Sequence, residues 1–315
     1  MTQVVAQAAG VDISKDHLDA CLHPNGATSR FTNNAHGFTA LIAWLAPHAP
    51  ACIVFEATGA YHRAFERTLG GQGLPVVKVN PRQARRFAEA IGTRTKTDRV
   101  DAAMLARFGA LLEPAVRPII SPTLDQMREL HTARCALVKD RTAAQNRQKK
   151  LVLALLKRQA ARRLAQIEDQ LAAIDAELAR LVKTDPALQA RFNSLVSIPG
   201  IGSATALALL IEMPELGTLE HRQAASLAGL APVTRESGQW KGKSFISGGR
   251  ANLRHALFMP ALVAIRFNAD FKAKYQAMTA AGKPPKVAII AIMRKLVVLA
   301  NALLKNPRPW TPRVA

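Results

Sequence analysis

The stretch VVAQAAGVDIS, Val4–Ser14, followed at once by HLDACLH, His17–His23, decides the architecture of the first part of the chain. Both segments are short, mainly apolar and joined by a polar turn, which reads as two strands of a hairpin. Downstream, HGFTALIAWLAPH (residues 36–48) has helical spacing, ACIVFEATG (51–59) reads as a buried strand, and AYHRAFERTLGGQG (60–73) as a helix closed by glycines. LPVVKVN (74–80) is a further strand, and PRQARRFAEAIG (81–92) a helix opened by proline and ended by glycine. A hairpin feeding strand–helix units predicts a mixed sheet flanked by helices, an α/β domain over residues 1–120.

Residues 121–186 are almost wholly helix-forming. Leu164, Ile167, Leu171, Ile174, Leu178 and Leu181 recur at alternating steps of three and four, a heptad seam with Glu168, Asp169, Glu177, Arg180 and Lys183 outside it. An intermolecular or antiparallel coiled coil is expected here. Pro186 marks the start of a third region, 187–315, whose acids are Glu212, Glu215, Glu220, Glu236 and Asp270. It reads as short helices, a glycine- and serine-rich loop, and two longer helices around 253–265 and 287–304.

The bulk charge narrows the partners. The 315 residues carry a formal net charge of +21, with 49% hydrophobic residues, so a folded protein keeps a strong positive field. Such a field is kept for a polyanion, nucleic acid first. A membrane is disfavoured, because the best apolar candidate, 287–304, carries Arg294 and Lys295 at its middle. The first residues lack a basic segment followed by a long apolar one, so export is not expected and the cytoplasm is the predicted location. Cys21, Cys52 and Cys135 form no CxxC pair and read as reduced structural thiols.

Four carboxylates stand out inside that positive field. Asp12 ends the first strand and Glu56 a later one, while Asp98 and Asp101 lie three apart at the start of a helix in TKTDRVDAAMLARF (95–108), where Asp98 also suits an N-cap. Carboxylates at neighbouring strand ends and one helix terminus can converge on one or two Mg²⁺ ions, which take oxygen ligands and can clamp both oxygens of a phosphodiester exchange. Taken singly, Asp12 suits the start of a turn and Glu56 a helix cap. Arg94, Lys96 and Arg99 nearby would add phosphate contacts.

SIPGIGSATALALL (197–210) places Gly200 and Gly202 before a helix, where backbone N–H groups can meet a phosphate, as in a helix-hairpin-helix element. In RESGQWKGKSFISGGR (235–250), Gly238 and its fellow glycines let backbone approach a phosphate, and Arg235, Lys241, Lys243, Arg250 and the following Arg254 can neutralise several. Trp240 suits stacking on a base or packing. A serine here is either a nucleophile or part of a phosphate grip, and composition leaves both open.

The ordered acids, the proline–glycine hairpin and LAGLAPVTRESGQWKGKSFISGGRANLRHALF (227–258) together resemble the DEDD-type insertion-sequence transposases guided by a bridge RNA, across essentially the whole chain. The resemblance implies an RNase H-like, RuvC-like domain whose Asp12, Glu56, Asp98 and Asp101 bind Mg²⁺, and a transposase domain whose catalytic serine falls on Ser237. It implies recombination through a covalent phosphoserine link, sequence choice by base pairing to a noncoding RNA, and work on donor and target DNA as a dimer or tetramer on the bacterial nucleoid. Ser244 and Ser247 fall in its basic stretch and its glycine turn. No GxxxxGK[ST] motif is present, in keeping with rejoining that conserves phosphodiester energy. A junction-resolving metal nuclease and a non-catalytic nucleic-acid-binding protein are the alternatives.

Overall fold

The computed structural model describes residues 7–57, 59, 61–92, 97–116, 121–234, 236–238 and 240–312, with the backbone alone at Trp240 and Lys241. It forms two compact units, Met1–Ile120 and Ser121–Ala315.

The first unit is built on β1 (Ala8–Ile13), β2 (His17–His23), β3 (Thr28–Thr32), β4 (Cys52–Glu56) and β5 (Val76–Val79), in the spatial order β3-β2-β1-β4-β5. β1, β2 and β3 run antiparallel in sequence, and β4 and β5 run parallel to β1. The mixed sheet expected from the sequence is therefore present. β3, with the sequence TSRFT, is an additional edge strand absent from that reading. The β1–β2 turn is closed by Ser14, whose Oγ donates to the His17 carbonyl at 2.9 Å and accepts from its N–H at 3.0 Å.

Helices cover both sheet faces. Ala9, Val11, Ile13, Leu18, Ala20 and Leu22 pack with α1 (Ala35–Leu45) and α2 (His62–Gly71) through Phe38, Leu41, Phe65 and Leu69. Ala8, Cys52 and Val54 face the other way, onto α3 (Pro81–Ala90) and α4 (Asp98–Leu112) through Ala84, Leu105 and Phe108. This period of two decides which polar side chains share a face. α4 lies against β1 backbone to backbone: a Cβ at Gly10 would collide with the Ala102 carbonyl and the Ala106 nitrogen.

The second unit is helical. α5 (Pro122–Gln148) and α6 (Ala154–Thr184) fold back on each other, so Met127 meets Leu178, Leu181 and Val182, while Ala144 meets Ile167 and Leu171. The heptad seam is thus occupied within the chain by an antiparallel neighbour, with Leu178 fully buried. α7 (Pro186–Val196), α8 (Ser203–Glu212), α9 (His221–Leu227), α10 (Ala251–Phe267), α11 (Ala269–Ala280) and α12 (Pro285–Lys305) enclose the main core. α12 is long and apolar enough to cross a membrane by length and composition, but Ile292, Leu296, Val297 and Ala300 are fully buried in that core. Two small ladders, β6 (Pro232–Val233) with β9 (Phe245–Ile246) and β7 (Glu236–Ser237) with β8 (Trp240–Lys241), shape the serine loop. All three cysteines are free thiols, Cys21 and Cys52 buried and Cys135 half-buried.

Candidate active site: an acidic sheet face and a basic serine hairpin

Strand alternation sorts the acids. Asp12 follows Ala8 and Gly10 onto the α4 face, and Glu56 follows Cys52 and Val54 onto that same face. β1 and β4 are parallel neighbours, with Val11 opposite Phe55, so Asp12, next to last in β1, and Glu56, last in β4, lie side by side. α4 crosses this face through the glycine gap at Gly10, and Asp98 and Asp101 occupy its first turn. Thr97, rather than Asp98, is the N-cap, accepting from the Val100 N–H at 3.4 Å.

The electrostatics register this gathering. Asp12 is pushed up from 3.8 to about 6, first by burial and then by the negative charges of Asp101, Asp98, Asp19 and Glu56. Asp19 was not among the acids singled out from sequence. It lies directly across from Asp12 in the β1–β2 register and is 5% exposed. Arg30 on β3 lies across from it in turn and holds it with two bonds of 2.9 Å. A carboxylate inside a strand is an unusual choice and was the available signal; its arginine partner sits in the strand missed from the sequence.

This donor set tests the expected Mg²⁺. All-oxygen ligands carrying excess negative charge suit a hard divalent cation. Among the described residues, however, no three His, Cys, Asp or Glu side chains are gathered tightly enough to hold a metal as they stand. The chemistry fits and the side chains need to draw closer. Arg94 and Lys96 lie outside the described residues.

The serine loop is built differently. Ser237 pairs with Trp240 across a tight turn in which Gly238 has φ +57, and both Ser237 and Gly238 are exposed. Among the described residues the Ser237 hydroxyl makes no hydrogen bond, and Lys243 and Ser244 are exposed beside it in sequence. Arg235 and the side chain of Lys241 lie outside the described residues.

The loop's far end is anchored. Gly249, at φ +62, lies so close to Gly229 that a Cβ on either would strike backbone of the turn opposite, and the Arg250 N–H donates to the Leu227 carbonyl at 3.0 Å. Arg250 forms a fork with Glu215 at 2.9 and 2.7 Å, and Arg254 Nη1 donates to the Gly248 carbonyl. These two arginines, expected as phosphate contacts, already have intramolecular partners. Gly249 is likewise spent on an internal close approach.

Gly200 has φ +98 and no room for a Cβ, which would lie 2.6 Å from the Pro260 carbonyl oxygen in α10. Its need for glycine comes from packing. Gly202, which caps α8, is exposed with open space around it.

A mixed sheet with clustered acids, continued by a basic helical unit with a glycine–serine hairpin, has the make-up of a DNA-recombining transposase. Comparison with known sequences carries that class to a family. Residues 9–157 match the DEDD-type IS110 transposase domain, and residues 193–276 match the transposase domain of the IS116/IS110/IS902 family. Proteins named pilin gene-inverting protein, from Moraxella lacunata and Moraxella bovis, are each 34% identical over 325 aligned positions, covering 97% of this chain and 98% of theirs. An insertion element IS110 protein of Streptomyces coelicolor is 30% identical over 147 positions, covering 45% of this chain and 35% of its own. The chain belongs to the IS116/IS110/IS902 family of transposases and is a DNA recombinase.

Proposed function

We propose that this enzyme cuts and rejoins DNA through a phosphoserine link at Ser237, with the acids of the first unit supplying the metal site and a noncoding bridge RNA choosing the sequences joined. The observation that supports the reading is the field these acids share: after burial, the charges of Asp101, Asp98 and Glu56 all help to raise the pKa of Asp12. Clustered acids repel one another and the polyanion that a formal charge of +21 attracts, and a cation between them would offset both costs.

Asp12, Glu56, Asp98 and Asp101 would hold Mg²⁺, one or two ions, which when bound offsets the charge gathering on the transferring phosphoryl group. The Ser237 Oγ attacks phosphorus and yields its proton to an acceptor in the assembled site. The P–O bond to the departing strand breaks, and that oxygen leaves with a proton. In the second half, a hydroxyl of the incoming strand attacks the same phosphorus and returns the serine, so the number of phosphodiesters is conserved.

An exposed hairpin on an anchored base suits a nucleophile that enters a site completed elsewhere, in the same chain or in another protomer of a dimer or tetramer. Gly200 and Gly202, Gly238, Arg235, Lys241 and Lys243 are assigned to the nucleic-acid backbone, with Arg250 and Arg254 shaping the loop through Glu215 and Gly248 before any phosphate arrives. The hairpin before α8 then works as a helix-hairpin-helix contact, and the α5–α6 pair as a coiled-coil arm in assembly. Relatives named for pilin gene inversion favour inversion, alongside excision and insertion, as outcomes of the same exchange on cytoplasmic, nucleoid DNA.

Asp101→Ala, assayed with element-encoded RNA, donor and target DNA and Mg²⁺, is expected to lose recombination at least a hundredfold while its circular dichroism and RNA binding stay those of the wild type. Full recombination by that variant would overturn the metal-site assignment.

A further inference from the structure

A cation at the edge of the acid cluster has no part in the reading above. Arg30 Nε donates to Asp19 Oδ1 and Nη2 to Asp19 Oδ2, both at 2.9 Å, and the same Nη2 lies 3.5 Å from Asp98 Oδ2. One guanidinium is thus shared unequally. Its strong partner is a side chain 7% exposed, and its weak partner, one of the four acids assigned to metal, is 61% exposed.

The inequality has a physical cause. A buried carboxylate left unpaired is expensive, so Asp19 keeps its fork whatever happens nearby. The exposed contact to Asp98 is worth little and is readily given up. Asp98 needs its oxygens for a metal ion, and a guanidinium leaning on it both occupies one oxygen and repels a dication. Were Asp19 neutral, both guanidinium edges would be free to form a bidentate pair with Asp98, which a metal would then have to displace.

We propose that Arg30 competes with the metal for Asp98, and that Asp19 is the holding carboxylate that keeps Arg30 from winning. The pair sets the metal affinity of the cluster without ligating the ion, so both are positioning residues. The inference rests on the cluster being the metal site.

The test is Mn²⁺ binding to the full chain, followed by the electron paramagnetic resonance of free Mn²⁺, at low salt and without nucleic acid. Asp19→Asn is expected to weaken binding on the order of tenfold, and Arg30→Gln to strengthen it by a similar factor. The double variant should bind more tightly than Asp19→Asn alone and fall close to the wild type. Damage to the fold would weaken every variant, and through-space charge alone would also give opposite signs, so Arg30→Lys decides. It keeps the charge but loses the second guanidinium edge; competition for Asp98 predicts tighter Mn²⁺ binding, and an unchanged affinity overturns the competition. Shifts of the same sign, or none, with a wild type that binds Mn²⁺, overturn the competition alone. Should Arg30→Gln fail to fold, a double variant binding no better than Asp19→Asn overturns it. A wild type that binds no Mn²⁺ overturns the metal reading and this inference together.

Discussion

The two halves of the proposed chemistry are housed in opposite ways. The acids stand on a sheet face closed by α4, where Gly10 leaves no room for one methyl group and burial raises Asp12. Ser237 stands on strands two residues long, exposed, with its loop secured at one end by Gly249, Arg250 and Arg254. The acids need a firm backbone frame, because side chains of like charge must be kept near one another before a metal can draw them in. A nucleophile that must reach a phosphate and later release it gains from an exposed position on a firm root.

That contrast breaks first at Gly10. Gly10→Val drives a branched side chain into the backbone of α4, and the first unit is expected to lose at least about 3 kcal/mol, read from urea unfolding. A wild-type midpoint would show that α4 is not held against β1 in this way. At the loop's root, Glu215→Ala leaves Arg250 half-buried without its fork. A loss of about 1–3 kcal/mol is expected, with recombination falling as the loop loses its anchor. Unchanged unfolding and unchanged activity would make the Glu215–Arg250 fork dispensable.

The acids should also show their strain through pH. Asp12 is raised from 3.8 to about 6, so between those values the folded chain keeps a proton that the unfolded chain gives up. Its contribution to stability is full below about pH 4 and is lost as pH rises through about 6. Asp12→Asn should remove this slope and make the metal-free protein more stable at neutral pH, by about 1–2 kcal/mol once solvent screening is allowed for. Thermal melts in chelator across pH 4–8 test it, and a variant less stable at pH 8 would contradict the crowding of charge. The smallest effect belongs to Ser237→Ala, which should shift stability by less than about 0.5 kcal/mol because its hydroxyl is exposed and makes no described hydrogen bond.

The same contrast explains what could be read from sequence. Asp12 and Glu56 were legible because each closes an apolar strand, and strand alternation assigns their face without knowledge of the fold. Asp19 was hidden inside a strand that reads as uniformly buried, and Arg30 inside TSRFT, an edge strand with polar residues on both sides and no apolar period. The seam from Leu164 to Leu181 announced a partner helix, but spacing is silent on whether that partner is another chain or α5; Met127 and Ala144 show it to be α5. Arg250 and Arg254 looked like free phosphate contacts because Glu215 lies 35 positions from Arg250, and only folding brings the two together. Ser237 sits in pairings too short for any periodicity, and its assignment came from family resemblance.

The most direct measurement is a denaturing gel of protein, element-encoded RNA, donor and target DNA and Mg²⁺, comparing wild type, Ser237→Ala and Ser244→Ala. The account predicts a protein–DNA adduct in the wild type and Ser244→Ala lanes and none in the Ser237→Ala lane. Strands cut equally well by Ser237→Ala, with no adduct in any lane, would contradict it and make the chain a metal nuclease that uses water.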